Sequence, residues 1–506
     1  MQLANRRHEL VIGMVLAVLA AVCFGAAVAA AQQADGKAGT LPLTTRSPEA
    51  LQLVQTAWEL NLDQVEQEKA VEVLRKAVQI DPNFAMAHEL LAQSSLDPAE
   101  QVREQHKAFA TRGFASPAER QVIEWWQDAS DHKLISAITK MNDVLAQYPH
   151  DKWVVFLSTW WLTLQTQNER AVAVYQRSGI TDSPGLMNNT AYAYAYMRQF
   201  EPAFALMDQY VAALPGDANP QDSYAEILRM AGKFDKAVEH YRAALTINPE
   251  FYSSEFGIAD TYSLMGDQDR ARKEYEVAFK RFPLPELHQV QWKTREAQTY
   301  VREGDFAGAD KAFQAIADQA HAKHMSQVEA DTYRQMAMYQ PSPKKTLFFI
   351  NRADAAIREG KNSMPAALQQ ERAQVLRARI EANLKSGNRL TAQSELKRLA
   401  AMASNSSDRL IEVAWQGAAG AVAFSQHKYD DAISHLEEDT NNPLSLKLLA
   451  EAYQKIGDSA GAKRTSQTLA SINDPTLEQA LVVLPFRKCY PDSGCSGNVK
   501  AVSLKK

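Results

Sequence analysis

From Ser47 to Pro485, apolar residues recur at steps of three and four in runs punctuated by Gly, Pro, Asp and Ser. That spacing lays one apolar stripe along a helix, so the chain reads as a long series of amphipathic helices. No stretch shows the period-two alternation of β-branched residues that a half-buried strand needs. The fold class is all-α. Helix starts are written in the punctuation. Ser47-Pro48-Glu49 sets a capping side chain before a proline at the first helical position. Asp97-Pro98-Ala99-Glu100 and Ser116-Pro117-Ala118-Glu119 add a Glu three residues beyond the cap, the spacing of a capping box.

The runs also repeat. Gly232, Ala237, Tyr241, Ala244 and Pro249 return as Gly266, Ala271, Tyr275, Ala278 and Pro283, each 34 residues on. Phe200, Ala203 and Pro215 precede Phe234, Ala237 and Pro249 by the same step. Each unit predicts two helices joined by a tight turn, where Gly232 or Gly266 supplies φ > 0. Small residues let the helices approach, and the tyrosine four residues beyond Ala237 or Ala271 fills the next gap on the same face. These residues resemble the tetratricopeptide repeat (TPR) family. The resemblance is densest over 184–283, continues in weaker copies from Ala70 to Ala462, and fits worst near Pro341-Ser342-Pro343. It implies an α-α superhelix in one or two segments: a TPR solenoid over 48–340, an irregular helical junction over 341–365, and a looser TPR-like solenoid over 366–485. Asp81-Pro82-Asn83-Phe84-Ala85 and Ala115-Ser116-Pro117-Ala118-Glu119-Arg120 also look similar to the repeat half of bacterial receptor-kinase and cyclase-type regulators. No pattern of their effector domains accompanies it.

The ends carry different signals. Arg6 and Arg7 precede the uncharged stretch Val11 to Ala31, which closes on Ala29-Ala30-Ala31. This is the order of a secretory signal, residues 1–31, cleaved after Ala31. At about 1.5 Å per residue the same stretch is just long enough to cross a bilayer core of about 30 Å as an uncleaved anchor. Export to the periplasm or beyond is expected, with inner-membrane anchoring as the alternative. Residues 32–47 have no periodicity and read as a linker. Loss of Cys23 with the leader leaves Cys489 and Cys495, a disulfide candidate in an oxidising compartment. They lie in a basic tail, 486–506, that holds five Lys or Arg against Asp492 alone. A net charge of −5 excludes a counterion-displacing nucleic-acid binder, and three cysteines exclude a Cys-based zinc framework. A chain of 506 residues is also too long for one compact core.

In TPR proteins the first helix of each unit lines the concave face, so the resemblance places a binding groove there. The residue after the packing alanine gives the column Trp126, Trp160, Tyr192, Glu226 and Asp260. The neighbouring column reads Val122, Phe156, Asn188, Asp222 and Phe256. This groove starts aromatic and turns acidic. It suits a protein or peptide partner, or alternatively a glycan stacked on Trp126, Trp160 and Tyr192. Its acidic residues are expected to repel an acidic tail. Catalytic patterns fail one by one. His88-Glu89-Leu90-Leu91-Ala92 puts alanine where a zinc protease needs its second histidine. His321 and His324 suggest no third metal ligand, and Ser493-Gly494-Cys495-Ser496-Gly497 lacks the second glycine of G-x-S-x-G. No catalytic residue, metal or cofactor is expected. The first expectation is an exported, non-catalytic scaffold of a bacterial cell-envelope assembly; a carbohydrate-binding or uptake protein and an unrecognised hydrolase are the alternatives.

Overall fold

The computed structural model describes residues 39–64 and 66–489. The leader with its cleavage site after Ala31, and Cys495 with the rest of the tail, lie outside the described residues. So does the proposed Cys489–Cys495 bond. Among the described residues there are 25 α-helices and no strand. Twenty-four of the helices fall into twelve consecutive pairs, from Pro48–Glu59 with Gln67–Ile80 to Pro443–Ile456 with Ser459–Ala470. None of the described helices is long and apolar enough to cross a membrane.

Stacking follows from the sequence pattern. Ala237 and Ala271 have no exposed surface, and Tyr241 and Tyr275 are buried beside them. Approach is so close that a Cβ added at Gly257 would lie 2.4 Å from the Tyr241 ring. First helices of neighbouring pairs touch one another, as Pro184–Tyr196 touches Ala218–Met230 and the latter touches Tyr252–Met265. Second helices show no comparable mutual packing, so the first helices line the shorter, inner arc of the superhelix. The winding also brings distant pairs together. Tyr252 donates its hydroxyl hydrogen to Glu68 at 3.0 Å, and His132 meets Asp408 at 3.2 Å.

Three local expectations change. The capping box forms at Ser116–Glu119, but at Asp97 the side chain caps alone because Glu100 turns away to Arg75. The stretch 341–365, expected to be an irregular helical junction, holds the regular helix Pro343–Glu359, which packs on both Ser326–Met338 and Pro365–Lys385. Its proline occupies the first helical position, where the missing N–H costs nothing, so the stack continues through it. Residues 41–47, expected to be a linker, form a strap. Leu41 N–H donates to Asp151 at 2.6 Å and Thr44 N–H to Glu119 at 2.8 Å, tying the strap across several pairs.

Turns within the pairs adopt positive φ at Gly232 (75°) and Gly266 (95°), and equally at Thr166 (57°) and Arg198 (58°). A β-branched residue in that region is strained. Thr166→Gly is expected to stabilise the protein by about 0.5–1 kcal/mol, the left-handed penalty exceeding the entropy lost by glycine. Urea denaturation checks it, and a lower midpoint for the variant would refute the strain.

Candidate functional site

The inner arc bears the two columns, though not all of their residues reach its surface. Trp126 is buried between Trp125 and Trp160, with ring centroids 5.1 and 5.5 Å away. Phe156, Trp160, Asn188 and Tyr192 line a cavity of about 300 Å³ with Trp58, Gln67 and Gln93. Further along, Tyr192 donates its hydroxyl hydrogen to Glu226 at 2.8 Å, one repeat away. Arg229 bridges Glu226 (2.8 Å) and Asp260 (3.1 Å), and Asp260 also accepts from the Tyr275 hydroxyl. Ser254 donates to Asp222 at 2.6 Å. Burial pushes the Asp222 carboxyl up to about 7, against that hydrogen bond and reinforced by the Glu226 charge. Phe256 is fully buried, stacked 4.7 Å from Trp292, and belongs to the core.

The central groove is filled by the chain itself. After the helix Ser459–Ala470 the backbone turns inward and runs without regular structure through Ile472–Pro475. Arginines of the inner arc grasp its carbonyls: Arg198 reaches Ser471 (3.4 Å), Arg295 reaches Pro475 (2.6 Å) and Arg302 reaches Thr476 (3.3 Å). Arg302 also holds the Gln479 side chain, and Asn473 donates to the Met230 carbonyl at 3.2 Å. Leu477 is buried in the cluster built around Val290, Tyr333 and Val375. The segment brings Asp474, 3.6 Å from Arg198, and Glu478. Arg229 pairs with Glu226 and Asp260, and Arg295 lies 3.7 Å from Asp260, so the acidic residues of the groove face cations of their own.

Arg198, Arg295 and Arg302 do not fall in the two columns. Arg198 stands where other pairs carry the turn glycine. Arg295 and Arg302 follow the Pro283-Leu284-Pro285 interruption, after which the spacing grows from 34 to the 38 that separates Gly266 from Gly304. A search for cations on first helices, free of the fixed step, finds Arg295 and Arg302, whereas Arg198 lies in a turn and escapes it.

Of the residues tested for catalysis, Ser493-Gly494-Cys495-Ser496-Gly497 lie outside the described residues, while His88 and His321 have structural partners. His88 is buried, with Nδ1 2.7 Å from Glu104 and Nε2 3.0 Å from the Pro82 carbonyl. His321 stands 3.0 Å from Glu329, and with Glu359 the donor atoms lie within 4.8 Å of one another. Lys361 also pairs with Glu359, at 2.8 Å. Ser406 Oγ and Asp408 Oδ2 stand 3.3 and 3.2 Å from the same ring nitrogen of His132, Nε2, so the carboxylate is not on the far nitrogen where it would orient the ring toward the hydroxyl.

This geometry is that of a TPR-like solenoid. Two adjoining stretches, 223–251 and 253–284, each match the Tetratricopeptide repeat family. Among curated proteins, none matches the chain in sequence. Similar solved structures include the APC/C hetero-tetramer Cut9-Hcn1, at 13% identity and a TM-score of 0.40, over 80% of this chain and 76% of that one. Yeast Tom70 gives 12% identity and a TM-score of 0.36, over 87% of this chain and 95% of its own. A tetratricopeptide repeat protein from Parabacteroides merdae gives 13% and 0.30, over 59% and 97%.

Proposed function

We propose that this protein is an exported, non-catalytic scaffold of a bacterial cell envelope that holds extended, acidic protein segments along its inner arc. The observation that carries the reading is the way residues 471–479 already lie there. Backbone carbonyls are received by Arg198, Arg295 and Arg302, an apolar side chain enters the stack at Leu477, and carboxylates meet a cationic wall. Guanidinium forks suit this task because they offer several fixed donors to oxygen acceptors at once. Binding an unstructured segment costs ordering entropy, so several such anchors are needed together. Export is supported by the charge and hydropathy order of residues 1–31. A partner segment has to compete with the resident one, which favours capture only where its local concentration is high.

A labelled peptide copying residues 471–485 tests the reading in trans. The full chain carrying Asn473→Ala and Leu477→Asp, which loosen its own segment, is expected to bind the peptide at least about tenfold tighter than the wild type. Adding Arg295→Ala and Arg302→Ala should abolish that gain. A loosened chain that keeps its helical circular dichroism and melting transition, yet shows no binding, would overturn the proposal.

A further inference from the structure

We propose that the cavity at the amino-terminal end of the inner arc is a binding site for a neutral sugar. It lies where the first, second, fourth and fifth helix pairs meet, with Trp58, Gln93, Trp160 and Asn188 on its four sides. The π-helical turn Leu60–Gln64 packs against the helix Pro184–Tyr196 beside it, and such turns are frequent at functional sites. A volume of about 300 Å³ sits at the small end of the range for small-molecule sites.

The wall chemistry selects the ligand. Among the described residues the wall contains no Asp, Glu, Lys, Arg or His, so an ionic group entering would shed hydration and meet no counter-charge from them. What the wall does contain is four aromatic rings and five carboxamides. Ring faces cover apolar C–H surface, and a carboxamide offers both a donor and an acceptor to a hydroxyl. A pyranose presents both kinds of surface in one small uncharged body.

The amides are also aimed. Gln67 spends its N–H on the Ser94 carbonyl (2.8 Å), Gln93 on Glu89 (2.9 Å), Asn61 on the Ser94 hydroxyl (2.7 Å) and Asn189 on Thr159 (2.8 Å). Their NH₂ groups are thus anchored in the wall, which fixes the orientation of their carbonyl oxygens before any ligand arrives. Two further polar atoms of the wall, Trp58 Nε1 and Asn188 Oδ1, are buried without a hydrogen-bond partner among the described residues. Buried atoms of this kind are rare in finished interiors, and a ligand that reorders the wall gives them partners. This polarity is opposite to that of the central groove. There, arginines donate to the carbonyls of an extended chain; here, oriented acceptors await donors, and hydroxyls supply them where carbonyls do not.

The experiment uses the full chain, with tryptophan fluorescence and calorimetry against glucose, maltose, cellobiose and N,N′-diacetylchitobiose. Glucuronate is the charged counterpart and Gly-Asn-Gly the neutral peptide. At least one neutral sugar is expected to saturate below about 10 mM, with glucuronate at least about tenfold weaker than glucose. Asn188→Leu removes the unpartnered oxygen, so it should melt no lower than the wild type while weakening that sugar at least about tenfold. Gln93→Leu should weaken it as well. The inference falls if no neutral sugar saturates, if glucuronate equals glucose, if Asn188→Leu melts normally and binds unchanged, or if Gly-Asn-Gly occupies the cavity in preference to the sugars. None of these outcomes touches segment binding at Arg295 and Arg302.

Discussion

An Arg229→Leu variant is expected to lose about 3–5 kcal/mol of folding stability, the scale on which breaking one side of a buried ion pair operates. Arg229 is 4% exposed and is the cation shared by Glu226 and Asp260. Leucine fills much of the stem's volume but leaves two carboxylates facing each other, with Asp222 beside Glu226 and Asp474 near the removed charge. Arg295, 3.7 Å from Asp260, compensates only in part. Urea denaturation near neutral pH gives the loss directly. Adding Asp260→Asn should restore at least about 1 kcal/mol, because a neutral amide no longer needs the cation. Faster hydrogen exchange over residues 471–479 should accompany the single substitution, since Asn473 of that segment is held by the carbonyl of Met230, the residue after Arg229. A loss under about 1 kcal/mol would show that these pairs sit in an environment as wet as the surface.

How far the sequence foretold this site depends on which physical signal each part leaves. The 34-residue step correctly set Tyr192 beside Glu226, because equal spacing on successive first helices is a statement about one face. Depth is a different matter. Phe256 obeys the same spacing but is covered by Trp292, from the 18-residue helix Glu286–Glu303 of the next pair. Trp126 vanishes between two other indoles for a comparable reason. Arg229, three residues beyond Glu226, was readable as its helical neighbour and would have warned that the acidic column is neutralised. The occupant of the groove left no mark at all. Residues 471–479 have no period, and their contacts reach back as far as 273 residues, from Ser471 to Arg198. Local pattern says which face of a helix is greasy; it does not say which distant strand of chain will lie on it. Turn chemistry was partly hidden too. Thr166 and Arg198 occupy the positive-φ position that glycine advertises at 232 and 266.

Stability near the amino-terminal cavity should depend on pH in the direction opposite to that of a salt-bridged carboxylate. Glu89 is 1% exposed and accepts from Gln93 and Gln105, each at 2.9 Å. The nearby cations are taken by other carboxylates, Arg75 by Glu100 and Lys107 by Glu104, so none is left to hold a Glu89 charge. Burial therefore pushes its carboxyl from 4.5 up to about 8, with the two amide hydrogen bonds opposing. Between those values the folded protein keeps a proton that the unfolded chain releases. Unfolding then sheds a proton, and stability falls as pH rises through the window, levelling off above about 8. Glu89→Gln never ionises. Its advantage over the wild type should grow from under about 1 kcal/mol near pH 5 to roughly 4 kcal/mol near pH 8.5, since each pH unit inside the window removes about 1.36 kcal/mol. Asp222 and Glu371, both raised to about 7 by burial, slope the same way in both proteins and cancel in the difference. Urea midpoints at three pH values across the window measure it. A difference that stays flat with pH would mean that Glu89 is already ionised at neutral pH, placing a full negative charge directly behind Gln93 and the wall of the cavity.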